Sequence, residues 1–394
     1  MHVSAADEVA MAREDGSHDS PPPAKAPFIA SRIDVDRYRV MEDEFAALAM
    51  RSAHANPFMA PALVAASWND GPADKLVILI VRDAAQRLVG AWALRLVRDL
   101  FTLGARALQA PLDPRYESLA TPVLDEACAS EAFAAMMSLL RASPALPRII
   151  RVLSWRDAFD GLCPPDLAIA RQERWQRAML ATEPGLGAEA YLSRHMGRAL
   201  NRRRNRLLQL VTAGRISCRT ARGPDAPQAF EAFIALENRG WKGAAGTALA
   251  RKPHEAAYMR RMVAALAARD RVALDQIMID GKPAAIGVMI EAGGNNVFWK
   301  AAFDEAHARF APGALLHLMV TERLFADGRA RMDSGMMEFT TPQFLPWSER
   351  AAMARVTLDL GAGAAGAMVK AGAALRHGLR RIQRGLRARL KGGG

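Results

Sequence analysis

The stretch Gly293–Phe325, "GGNNVFWKAAFDEAHARFAPGALLHLMVTERLF", decides the fold. Asn295 to Phe303 is rich in β-formers and aromatics and reads as a strand, whereas Pro312 to Ala326 has helical apolar spacing. Between them lies "ARFAPGA", Ala308–Ala314, with proline at the first helical position and small residues around it. Such a turn can simply start a helix. It can also offer bare backbone N–H groups and the positive end of a helix dipole to a phosphate, with Gly313 removing the Cβ that would block approach and Arg309 adding a fixed charge. After the helix, Asp327-Gly328 and "RARMDSG" supply a turn and another strand. Strand, helix and strand at this spacing make a β-α-β step, and hence neighbouring parallel strands in a mixed sheet.

Upstream of this step the chain repeats itself. "KLVILIVRDAAQRLVGAWALRLV" (Lys75–Val97) and "VALDQIMIDGKPAAIGVMIEAGG" (Val272–Gly294) both read as hairpins, turning at Asp83–Arg87 and at Asp280-Gly281. Each follows a pair of short helical segments, and Gly90 and Gly287 fall at matching places when the hairpins are aligned. The pattern is a duplication with a degenerate first copy. "FTLGARALQAPLDP" in the first copy has no comparable R-x-x-x-G-A helix start, and its prolines interrupt any helix there.

Length and charge fix the remaining organisation. A chain of 394 residues exceeds one ordinary core, which favours two domains with tails. The expected boundaries are a disordered leader at 1–30, a first domain at 31–185, a basic connecting helix at 186–214, a second domain at 215–362 and a basic tail at 363–394. The net charge of +12 belongs to two segments. Residues 188–211 carry six arginines (Arg194, Arg198, Arg202, Arg203, Arg204, Arg206) against Glu189 alone. Residues after Gly366 carry eight Lys or Arg and no acid, with Leu375, Leu379, Ile382, Leu386 and Leu390 at helical spacing. A basic amphipathic helix of that kind can lie on an anionic membrane. Gly378 and Gly385 weaken it in isolation, so it is expected to order at a surface. No apolar run reaches the roughly 20 residues of a bilayer span, and the first residues lack the apolar core of a signal peptide, so a cytoplasmic protein is expected. Cys128, Cys163 and Cys218 stand far apart without metal-ligand spacing and read as small buried hydrophobes.

"FIALENRGWKGAAGTALA" (Phe233–Ala250) together with "FWKAAFDEAHARFAPGALL" (Phe298–Leu316) resembles the CelD-like (cellulose-biosynthesis-type) acetyltransferases of the GNAT superfamily, a duplicated, FemAB-related branch. The resemblance runs from about Phe45 to Leu360. It implies an α/β fold of two tandem GNAT-like domains with the donor site in the second. It implies acetyl-CoA as donor, with no metal, and transfer of its acyl group to an amine or hydroxyl of an acceptor, such as a cell-envelope or polysaccharide-related one, that the sequence does not name. Arg309, Ala311, Gly313 and Ala314 would hold the pyrophosphate, and Glu237 and Asp304 would be the catalytic carboxylates, although Glu237, at the end of a helix, reads equally as a structural carboxylate paired with Arg239 or Lys242. Trp241, Lys242, Trp299 and Lys300 would bind the acceptor, with Trp299 and Lys300, as strand neighbours, facing opposite sides of the sheet. The sequence departs from the family in "MDSGMMEFTTPQFLPW", which lacks the downstream G-x-x-x-Y-K arrangement, and Tyr38, Tyr116, Tyr191 and Tyr258 all lie elsewhere along the chain. Two other readings stay open: a non-catalytic relative that binds a polymer or membrane partner, and FemAB-type transfer from an aminoacyl-tRNA. The arginine-rich helix is the sole support for the latter, and nucleic acid is otherwise not an expected partner.

Overall fold

The computed structural model describes residues 28–68, 71–181, 185–198, 214–328, 331–336 and 345–391, with scattered residues between 201 and 211. Arg203 and Arg206 of the basic segment lie outside these residues, as do the side chains of Leu386 and Leu390.

The hairpins form as their patterns require. Strands β2 (Leu76–Arg82) and β3 (Leu88–Val97) flank the Asp83–Arg87 turn, where the Asp83 carboxylate accepts from the Arg87 N–H at 2.9 Å. Strands β9 (Val272–Ile279) and β10 (Lys282–Ala292) flank Asp280-Gly281. β2 and β9 are buried almost end to end, because helices or neighbouring chain cover both faces of the sheet. The remaining strands are β1 (Ile29–Ile33), β4 (Ala107–Ala110), β5 (Val123–Leu124), β6 (Ile149–Arg156), β7 (Ala168–Ala181), β8 (Ile216–Ala221), β11 (Asn295–Phe303), β12 (Arg331–Asp333) and β13 (Glu349–Asp359).

All of them join one mixed sheet in the order β1-β2-β3-β4-β6-β13-β7-β12-β11-β10-β9-β8, with β5 pairing β3. The order is a pseudo-twofold repeat. In the first half a helical segment and a β-hairpin lead to β4, and the Ala129–Ala142 helix then carries the chain to β6, parallel to β4. In the second half the Ala226–Arg239 and Pro253–Ala267 helices precede β9-β10-β11, and the Pro312–Ala326 helix leads to β12, parallel to β11. The last strand of each half is then exchanged. β7 leaves the first half to pair with β12, and β13 leaves the second half to pair with β6. β7 and β13 pair with each other from Glu349 opposite Met179 to Asp359 opposite Ala168.

The halves also meet at the β10–β11 turn. Gly293 and Gly294 both have positive φ there, and a Cβ on Gly293 would stand 2.1 Å from the Ala49 carbonyl oxygen in the Glu42–Met50 helix. Only glycine permits that approach. The cysteine expectation is corrected: Cys128 and Cys163 are half-buried, and Cys218 is exposed because it lies on β8, the edge strand of the sheet.

The basic tail is one helix, Gly363–Lys391, and its first part is docked on the first half. Val369 packs with Val97, Ala107 and Ile149. Lys370 pairs with Asp359 at 2.5 Å, and the Arg376 guanidinium lies 4.7 Å from the centroid of the Phe101 ring. Docking therefore orders this part of the tail, glycines included. Gly372 makes it possible, because a Cβ at that position would lie 2.2 Å from the Phe101 carbonyl oxygen. Gly372→Val is expected to lever the helix away, costing roughly 1–3 kcal/mol in the manner of an overpacked contact. Limited proteolysis of the tail and thermal melting measure it. Unchanged cleavage and unchanged melting would show that the contact does not hold the tail.

Candidate active site

The pairing of β10 with β11 slips by one residue: Val288 stands opposite Lys300 and Met289 opposite Phe298, leaving Trp299 unpaired in a β-bulge. A bulge interrupts the strict alternation of side chains. Phe298 faces the Pro312–Ala326 helix, where its ring stacks on His317 at 4.6 Å, and Ala301 packs in the same core cluster. Trp299 and Lys300 both turn the other way and meet one residue. The Trp299 Nε1–H donates to the Tyr116 carbonyl at 2.6 Å, and the Lys300 ammonium lies 5.0 Å from the centroid of the Tyr116 ring. The expected opposite orientation of these neighbours is thus corrected, and the bulge is the reason.

Tyr116 belongs to the first half, in the excursion of residues 111–122 between β4 and β5. Its hydroxyl is hydrogen-bonded to Glu255, so a tyrosine distant in sequence stands beside the second-half bulge. The Lys300 ammonium is pushed down to about 8, by burial first and then by Lys242, against the pull of Glu237 and Glu255.

β11 and β12 pair only from Asn295–Arg331 to Val297–Asp333, after which β11 continues alone to Phe303. The Ala308–Ala314 turn stands beyond this opening. Asp304 caps the short turn Glu305–Phe310 by accepting from the Ala306 N–H at 2.9 Å. Ala311 is left-handed (φ 50°) and accepts from the N–H groups of Ala314 (2.9 Å) and Leu315 (3.1 Å). Gly313 faces the end of β11: a Cβ there would meet only Phe303, at 3.7 Å. The Arg309 guanidinium lies 4.7 Å from the centroid of the Phe310 ring.

Glu237, Trp241 and Lys242 come together at the same end of β11, around a small cleft of about 30 Å³ bounded by Ala301, Ala302 and Phe303. Glu237 is buried and both its oxygens are engaged, one by the Lys242 ammonium and one by the Leu249 N–H, each at 2.8 Å. Trp241 is exposed, and its N–H donates to the Glu305 carboxylate at 2.8 Å. Of the residues singled out in sequence, Glu237, Lys242 and Lys300 form one electrostatic group, while Asp304, Arg309, Ala311, Gly313 and Ala314 form the turn.

Behind the bulge, at the seam of the two halves, is a larger cavity of about 230 Å³. The excursion contributes Arg115, Tyr116, Glu117 and Ser118, β7 contributes Trp175 and Arg177, β13 contributes Arg355, and Trp299 and Gly335 close it. Arg177 is buried and donates to the carbonyls of Met336 and Ser118 and to the Ser154 hydroxyl. Except for Trp299, none of these residues carries a local sequence signal, since the exchanged strands bring them together.

Residues 168–340 match the family model described as an acetyltransferase (GNAT) domain. That stretch of the chain is similar to GNAT domains. The match begins at Ala168, the first residue of β7, the strand that completes the second half in space. Among solved structures, FemX superposes with a TM-score of 0.56 at 8% identity, over 82% of this chain and 96% of its own. A conserved protein of unknown function from Bacteroides thetaiotaomicron VPI-5482 gives 0.52 at 8% identity, over 85% and 99%. The C-terminal DUF2156 domain of a putative lysylphosphatidylglycerol synthetase from Agrobacterium fabrum gives 0.51 at 12% identity, over 86% and 96%. At these identities the likeness is one of fold. No curated protein sequence matches the chain significantly. Among the described residues no group of three His, Cys, Asp or Glu side chains could hold a metal ion.

Glu117 is the cavity's own carboxyl. It is buried and accepts from the Leu112 N–H at 2.9 Å, yet burial first and then Asp113 push it up to about 8, with Arg95 opposing. A carboxyl whose folded value exceeds its unfolded one, near 4.5, stabilises the fold fully below that value and loses the contribution as pH rises toward 8. The slope can reach about 1.4 kcal/mol per pH unit. Glu117→Gln keeps an acceptor for Leu112 but cannot ionise. Denaturant unfolding is therefore expected to show the parent losing stability relative to this variant between about pH 5 and 8. Parallel stability curves would mean that Glu117 titrates normally.

Proposed function

We propose that the protein is an acyl-CoA-dependent transferase, with acetyl-CoA as donor, that acylates an amine or hydroxyl of its acceptor. The observation that carries this reading is the β11 bulge at Trp299, set where β11 parts from β12 and facing away from the helix that starts at Pro312. An opened strand edge leaves backbone groups unpaired, which suits hydrogen bonding to an amide-rich chain such as pantetheine. Gly313, Ala311, Ala314 and Arg309 would receive the pyrophosphate at the helix start. Among the described residues the Gly313 N–H has no backbone acceptor, which leaves it available.

Transfer of an acyl group from a thioester needs proximity, a stabilised oxyanion and removal of the acceptor's proton. Lys300, with its lowered value, stands on the acceptor side of the bulge beside Tyr116. We place Glu237 as the carboxylate that orders Lys242 next to it, and Asp304 as the group that sets the donor turn. Trp241, exposed at the cleft mouth, would meet the acceptor. An aminoacyl-tRNA donor finds less support, because Arg204 of the basic segment is already engaged by Glu189 and Glu322. Calorimetry with acetyl-CoA tests the reading, followed by a mass-spectrometric acceptor screen. Gly313→Glu sets a side chain and a negative charge where phosphate would lie, and at least tenfold weaker acetyl-CoA binding is expected. Equal binding by the folded variant would remove the donor from this turn.

We also propose that the tail brings the enzyme to an anionic membrane surface. Among the described residues no helix is long and apolar enough to cross a membrane. Leu375, Leu379 and Ile382 of the tail helix are 48%, 44% and 62% exposed. Each basic residue near an anionic surface contributes on the order of 1 kcal/mol. An apolar stripe gains from acyl chains and nothing from a nucleic-acid duplex. Leu379→Glu with Ile382→Glu is therefore expected to weaken co-sedimentation with phosphatidylglycerol vesicles about tenfold, beyond the effect of salt. A parent protein that ignores such vesicles at physiological salt would end this reading and leave the transferase untouched.

A further inference from the structure

The seam cavity holds donors that the fold does not use. Trp175 lines it and is 4% exposed, yet its indole N–H has no acceptor among the described residues. The indoles of Trp92, Trp155, Trp299 and Trp347 all donate to protein oxygens. Ser118 lines the same cavity, and its buried hydroxyl is likewise without a partner, although its carbonyl accepts from Arg177 and Ser154. Buried donors left unpaired are costly and rare, and two on one cavity wall point to a ligand that accepts hydrogen bonds.

The charge balance specifies the ligand further. Asp333 is buried and shared by two guanidiniums, Arg156 at 3.1 Å and Arg177 at 3.5 Å, so one positive charge is in excess beside the cavity. The other lining arginines are balanced, Arg355 by Glu173 and Arg115 by Asp113 and Glu255. Glu117 adds little opposing charge near neutral pH, because burial holds it largely protonated. About 230 Å³ suffices for a small molecule, and Trp299 at the bulge forms the wall nearest Lys300.

We propose that this cavity is the acceptor site and that it binds an oxyanion, a carboxylate or a phosphate, through the Trp175 indole N–H, the Ser118 hydroxyl and the Arg177 guanidinium. The acceptor's nucleophile then points toward the Trp299 bulge, a step that rests on the transferase reading above. The first half thereby acts as the acceptor wall of the second.

Calorimetric titration of the full chain with sodium malonate, with phosphate and with neutral malonamide, at ionic strength fixed with sodium chloride, tests the site without any acyl donor. At least one oxyanion is expected to bind, and malonamide at least tenfold more weakly. Tighter malonate would indicate a carboxylate acceptor and tighter phosphate a phosphorylated one. Trp175→Phe, which keeps the ring and its packing, and Ser118→Ala should each weaken oxyanion binding about tenfold, whereas Gly313→Glu should leave it unchanged. Binding by neither oxyanion, equal binding of malonamide, or parental affinity in both cavity variants would overturn the assignment. If acetyl-CoA fails to bind while malonate or phosphate binds as expected, the transferase reading fails and the site stands.

Discussion

The exchange of β7 and β13 is the constraint on which the rest of the molecule depends. β13 pairs with β7 along the whole of Glu349–Asp359 and with β6 on its other side from Met353 to Asp359. Neither half can complete its sheet with its own last strand, so the two must order together, and a cut between them would leave long unpaired strand edges. The exchange also creates the seam. Trp175 and Arg177 on β7 and Arg355 on β13 line one cavity because the strands lie side by side, although they come from opposite halves of the chain.

The halves diverge at one matching place. β3 pairs with β5 at Gly90–Leu124, as β10 pairs with β11 at Gly287–Ala301, and the following turn is capped by Asp125 in the first half and by Asp304 in the second. Where β11 bulges by the single residue Trp299, the first half inserts the whole excursion of residues 111–122. That insertion delivers Tyr116, Glu117 and Ser118 to the seam. The difference between the copies and the wall at the seam are thus a single structural change.

What could be read from the sequence follows from how local the cause is. The Asp280-Gly281 hairpin, the helix starting at Pro312 and the parallel step into β12 are set by residues close in sequence, and all were legible. The correspondence of Gly90 with Gly287 was legible for the same reason: a Cβ on Gly90 would meet Met136 of the Ala129–Ala142 helix and one on Gly287 would meet Leu316 of the Pro312–Ala326 helix, although their hairpin partners, Val81 and Asp275, are not equivalent. The orientation of Lys300 was not. Alternation predicts a side for every strand residue until a bulge intervenes, and the bulge is visible only in the pairing with Val288 and Met289. The position of Tyr116 was hidden more deeply: no spacing rule places a residue of the first half against Trp299 and Lys300. The seam cavity required the strand exchange, which leaves no mark on composition or periodicity.

Asp333 shows how far this coupling extends. It ends β12 at the point where β11 departs, and its carboxylate accepts from the Gly335 N–H at 2.7 Å while meeting Arg156 of β6 and Arg177 of β7. One buried carboxylate therefore ties the β11–β12 opening to both central strands. Gly335, held by that bond, lies against the Phe298 carbonyl, where a Cβ would come within 2.9 Å. Since Phe298 immediately precedes the bulge, the path from the seam to the bulge is a continuous run of polar contacts and close backbone packing. A ligand oxyanion at Arg177 would draw on the guanidinium that also steadies Asp333. Occupancy of the cavity and the set of the β11–β12 opening are then linked through a single charge balance.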